Sequence, residues 1–143
     1  HLEEDEKQVM VTQSQIQIPS NWEGSVPEYV AYQAFMRLGK IPGEDFSYQS
    51  PLLGGRLDKG GFVIDFMFMN PPDLGVNIQG VYYHYQKYPD GVEVKARDVL
   101  ARASMAGQNI TLIFIDDDDL MSDPQYYCRE ALNYRDHSRL GGG

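Results

Sequence analysis

A chain of 143 residues, 42% hydrophobic and 23% charged, has the size and composition of one globular domain. Its single cysteine, Cys128, excludes an intrachain disulfide and a zinc knuckle, and its longest apolar run, Phe62 to Met69, is broken by Asp65 and far too short to span a membrane. The net charge of −9 weighs against a nucleic-acid binder that depends on phosphate contacts, although residues 30–115 carry eight Lys/Arg against eight Asp/Glu, so the acidic excess lies outside the centre.

Residues 1–24 are polar and acidic, opening with Glu3-Glu4-Asp5-Glu6, and are expected to form a loose arm ahead of a domain over 25–140. No basic-then-apolar stretch stands at the start, so no secretory leader is expected. Ser25 and Glu28 have the spacing of a capping box, and Pro27 falls in the first turn, where a missing N–H costs little. The apolar positions that follow predict a helix ending at Gly39 and Pro42. Residues 43–61 hold six glycines or prolines and read as turns, with a short strand over 46–49.

Residues 62–69 predict a strand, Asn70-Pro71-Pro72-Asp73 a turn, and residues 76–84 a second strand, which together make a hairpin. Asp90 and Glu93 form another capping box, opening a helix to about Ala106 that Gly107 ends. Ile110 to Ile115 is apolar on both faces and predicts a buried strand, parallel to the hairpin because a helix carries the crossover. A last helix is expected over 123–133, with Pro124 at its start. The sum is an α/β fold, a mixed sheet flanked by helices in three layers.

Asp65 interrupts an otherwise apolar strand, where a charge is expensive unless it is paired or bound to metal. His84 ends the second strand, and a neutral imidazole with a pKa of about 6.5 suits a base that activates water. Each also has a plain structural reading: Asp65 accepting backbone N–H groups, His84 packing among tyrosines. Glu28 is explained by its capping box, and Asp98 by an i,i+4 salt bridge to Arg102. The run Asp116 to Asp119 lacks calcium-loop spacing and reads as a solvated turn.

The ordered set Glu28, Asp65, Gln79-Gly80-Val81-Tyr82-Tyr83-His84, Arg97-Asp98 and Gly107 resembles the very-short-patch repair (Vsr) branch of the PD-(D/E)XK nucleases. It is nearest their phage homing-endonuclease relatives with a Glu-Asp-x-His-Asp pattern, and covers about residues 25–120. Gln79 stands where Vsr enzymes have a second His, which the phage relatives' variable position accommodates. The resemblance implies a three-layer restriction-endonuclease-like fold and a metal-dependent endonuclease, encoded by a phage or mobile element and working on DNA in the bacterial cytoplasm. By carry-over, Asp65 and the backbone carbonyl near Ile78 hold Mg2+ or Mn2+, His84 activates water, and Glu28, Gln79 and Asp98 complete the site. The alternative is a nuclease fold without activity, used as an interaction or virion-associated protein. The acidic charge and the tyrosines at 82, 83, 85 and 88 speak for it.

Overall fold

The structure, a computed structural model, describes residues 17–48, 64–80, 106–107 and 109–139. Helix α1 (Val26–Arg37) begins as its sequence predicts: the Ser25 hydroxyl accepts the Glu28 N–H at 3.2 Å. It ends where Gly39 takes a φ of +91°, a left-handed conformation that costs glycine nothing. Ala31, Ala34 and Phe35 form its buried stripe, and the two alanines keep the helix close to what lies beneath.

Strands β1 (Phe46–Tyr48), β2 (Phe66–Phe68), β3 (Leu74–Gln79) and β4 (Thr111–Asp116) form one sheet in that order. The first two pairings are antiparallel and the β3–β4 pairing is parallel, as expected for a hairpin followed by a crossover. The crossover helix expected from Asp90 lies outside the described residues up to Ala106. The hairpin turn is tight, with Asp73 at φ +56°, so pairing starts at once with Phe68 opposite Leu74, two residues earlier than the sequence suggests. Helices α2 (Asp117–Ser122) and α3 (Pro124–Leu132) follow, the latter capped by the Asp123 carboxylate on the Tyr126 N–H at 3.2 Å.

Both faces of the sheet are buried. On one, Phe46, Phe66, Phe68, Leu74, Val76, Ile113 and Ile115 pack with α1, α2 and α3. Phe35 sits at the centre, its ring 4.8–5.9 Å from those of Phe46, Phe66 and Phe68, and burying each such ring contributes about 1.5–3 kcal/mol. The other face holds Ile64, Met67, Ile110, Leu112 and Phe114. Gly75 faces this second cluster, where an added Cβ would stand 3.2 Å from both Ile64 and Leu112.

Two expectations need correction. Asp65 does not lie inside a strand: it occupies a bend just before β2. Strict alternation would put Ile64 on the same face as Phe66, yet it packs on the opposite one, so the chain reverses at Asp65. Asp116 to Asp119 are not a solvated turn either. Asp116 ends β4 fully buried, and the next three residues open α2.

Candidate active site

Strand register gathers the polar groups at one end of the sheet. Tyr48 pairs with Phe66, Phe66 with Val76, and Gln79 with Asp116. The end of β1, the start of β2 and the ends of β3 and β4 therefore coincide, bringing together Tyr48, Asp65, Gln79 and Asp116.

Asp65 is fixed against β3 from both sides. Its N–H donates to Asn77 Oδ1 at 2.7 Å, and its Oδ2 accepts the Ile78 N–H at 2.9 Å. Burial pushes its carboxyl pKa up to about 8, and the negative charge of Glu28 adds to the rise, against the opposing pull of the Ile78 N–H. An acid in this state holds its proton near neutrality unless a cation arrives. Ile78, expected to offer a carbonyl to a metal, meets Asp65 through its amide.

Glu28 lies in the first turn of α1, and its carboxylate is held from two sides. One carboxylate oxygen, Oε2, accepts the Ser25 hydroxyl at 3.0 Å, while Oε1 accepts the hydroxyl of Tyr48 on β1. Tyr48 is held in turn by Trp22, stacked at a centroid distance of 4.6 Å, whose indole N–H donates to the Ser25 carbonyl at 3.1 Å. Gly24 lies beside this junction, and a Cβ there would overlap the Tyr48 hydroxyl. Nothing in the sequence marked Tyr48 or Trp22, because their roles depend on β1 lying beside α1.

Gln79 is buried at the same sheet end. Ile78 packs on the α1 side, so alternation puts Gln79 on the face away from α1 and Glu28. The structure thus brings Glu28 and Asp65 into electrostatic contact and sets Gln79 beside Asp116. His84 and Asp98 lie outside the described residues. The pair Asp65 and Glu28 offers oxygen donors that no cationic side chain among the described residues neutralises, which fits a hard divalent ion such as Mg2+ or Mn2+.

The Asp116 region meets its charge differently. Asp116 Oδ2 accepts the Arg139 N–H at 2.9 Å and the Arg139 Nη1 at 3.0 Å. The same guanidinium grips Asp118, at 3.1 Å to Oδ1 and 2.7 Å to Oδ2. This holds the Asp118 carboxyl below its ordinary range, whereas burial pushes Asp116 up. The chain leading to Arg139 also covers β4, with Asp136 Oδ2 accepting the Phe114 N–H at 2.8 Å.

No described helix is long and apolar enough to cross a membrane. Compared with protein-family models, with curated proteins and with solved structures, the chain finds no match.

Proposed function

We propose that the chain is a metal-dependent endonuclease acting on DNA, built on a three-layer restriction-endonuclease-like fold of the Vsr-like kind. The observation that carries this reading is the pair Asp65 and Glu28. Two carboxylates from different elements approach at one end of a mixed sheet, and burial and the charge of Glu28 raise Asp65 to about 8, with no cationic side chain among the described residues to offset them. A divalent ion would settle that charge, and when bound it would supply a Lewis acid for phosphodiester hydrolysis. The element order supports the same reading: a helix, three antiparallel strands, then a strand parallel to the third. In this scheme Asp65 and Glu28 hold the metal, and His84 takes the proton from the attacking water.

The test is incubation of supercoiled plasmid with the protein and Mg2+ or Mn2+, beside Asp65→Ala and a chelator control. Nicking that needs both metal and Asp65 supports the proposal. Cleavage that survives the variant or excess chelator overturns it.

A second reading, an inactive fold serving as an interaction protein, is favoured by one observation: both Glu28 oxygens already hold hydroxyl groups, of Ser25 and Tyr48. Absence of cleavage with every divalent ion would select it.

A further inference from the structure

Main-chain pairing between β2 and β3 stops at Phe66 opposite Val76. Continued, the register would set Asp65 opposite Asn77 and Ile64 opposite Ile78. Side chains take over at that point instead. Asn77 Oδ1 accepts the Asp65 N–H at 2.7 Å, and Asp65 Oδ2 accepts the Ile78 N–H at 2.9 Å. The exchange is reciprocal, since each chain segment gives one side-chain oxygen to a backbone amide of the other.

This substitution changes where the carboxylate stands. In an unbroken antiparallel pair the side chains stand roughly perpendicular to the sheet, while the N–H groups lie in its plane. By meeting the Ile78 N–H, the Asp65 carboxylate enters the line of the ladder. Asn77 holds the backbone for that geometry. Val76 and Ile78 pack on the α1 side, so alternation sets Asn77 on the other face, where Ile64 also packs. Its oxygen draws the Asp65 amide toward that face, which is where the chain reverses. An amide oxygen does this without charge, whereas a carboxylate at position 77 would add to the negative field that Glu28 already sets on Asp65.

We propose that Asn77 is a positioning residue for the metal-holding carboxylate of Asp65, acting through the Asp65 amide and not as a ligand itself. The proposal rests on the nuclease reading, in which Asp65 holds the cation. Without the Asn77 oxygen, the Asp65 N–H loses its partner and the regular ladder can continue. That would turn the carboxylate out of the sheet plane. Asn77 belongs to neither apolar cluster, so the fold should survive its replacement.

Mn2+ binding to the whole chain, read near pH 7.5 from loss of the free-ion EPR signal, tests this in protein kept well below its melting temperature. Asp65→Asn gives the background uptake of the acidic surface. Asn77→Ala should weaken the Asp65-dependent binding about fivefold or more, the size of one lost hydrogen bond. Asn77→Asp, which keeps an acceptor oxygen at the same reach, should hold it within about twofold of wild type or tighten it. A residue that only stabilised the fold would move the melting temperature and leave these affinities alone. A second readout needs no metal. In Asn77→Ala the Asp65 amide proton should exchange about fivefold faster, and the side-chain carboxyl carbon resonance of Asp65 should move. Equal Mn2+ affinity in wild type and Asn77→Ala overturns the proposal, as does an Asn77→Asp variant as weak as Asn77→Ala. So does an Asp65 amide and carboxyl unmoved by Asn77→Ala. Wild-type protein that takes up no more Mn2+ than Asp65→Asn counts instead against the nuclease reading, and the metal-free signals of Asp65 then decide the role of Asn77. If Asn77→Ala does not fold, Asn77→Ser, whose oxygen stops one bond short of the Asp65 amide, takes its place.

Discussion

Asp65, half-buried, and Asp116, fully buried, are carboxylates at the same end of one sheet, and the protein treats them in opposite ways. Asp116 receives an arginine from the carboxyl-terminal segment, which donates both a backbone N–H and a guanidinium. Among the described residues, Asp65 receives one amide, from Ile78, and a second acid as its neighbour. The cheap ways to bury a carboxylate are to pair it with a cation or surround it with donors. Asp116 follows that rule in part, and Asp65 departs from it. Departures of this kind cluster where a ligand completes the charge balance, which is why the functional proposal rests on Asp65 while Arg139 is read as structural.

The largest effect expected from this contrast is on activity. Asp65→Ala should reduce metal-dependent plasmid nicking to background, a loss of at least about three orders of magnitude, since a missing metal ligand removes several kcal/mol of charge stabilisation. Arg139→Ala should leave more than about a tenth of the activity once the fold is corrected for. An Arg139→Ala loss as deep as that of Asp65→Ala would erase the distinction between the two acids.

Stability should separate them next, and in opposite directions. Arg139→Ala strands Asp116 and should cost about 2 kcal/mol in denaturant melts, below the value for a fully buried pair because Arg139 is half-exposed and Asp116 can take up a proton. The loss should shrink as pH falls, since protonation, which burial already favours at Asp116, relieves the stranded acid. Asp65→Asn should instead stabilise the fold at pH 8.5, by about 5 °C in Tm or on the order of 1 kcal/mol. The sign follows from linkage. The folded protein keeps the Asp65 proton up to about pH 8, whereas the unfolded chain releases it near the ordinary carboxyl value of 3.8. Wild-type stability therefore falls as pH rises between those two values, and the asparagine variant lacks that slope. Its advantage should shrink toward pH 5, and an advantage that is flat with pH would show that Asp65 is charged in the folded state.

The smallest effect concerns Tyr48. Tyr48→Phe keeps the stack on Trp22 and removes the hydroxyl that holds Glu28, so stability should fall by about 1 kcal/mol. With that donor gone, Glu28 is free to turn, and the pH dependence assigned to Asp65 should shift measurably. A variant with an unchanged pH profile would show that Glu28 acts on Asp65 without help from Tyr48.

Local signals carried most of the fold. Ser25, Pro27 and Gly39 mark α1, the proline pair after Asn70 marks the hairpin turn, and the apolar run after Ile110 marks a strand buried on both faces. What escaped the sequence depends on contacts between distant residues. Residues 62–69 look like an unbroken strand because nothing local reveals that Asp65 must turn aside to reach the Ile78 amide. The acids from Asp116 look solvated because Arg139, which meets two of them, follows only after α3. The place of Glu28 in the first turn of α1 was legible from its spacing to Ser25, but its bond with Tyr48 was not, because that needs β1 beside α1.

Cys128 offers a way to watch α1 move. It is the single cysteine of the chain, fully buried on α3 with its sulfur 3.9 Å from the Ala31 carbonyl of α1. Burial pushes its thiol well above the ordinary range, so the reactive thiolate is suppressed while the two helices stay together. Labelling by a thiol reagent therefore requires α1 and α3 to part, and its rate counts those openings. Because Glu28 rides on α1, the same sulfur clocks, without any added probe, how often that carboxylate leaves its place beside Asp65.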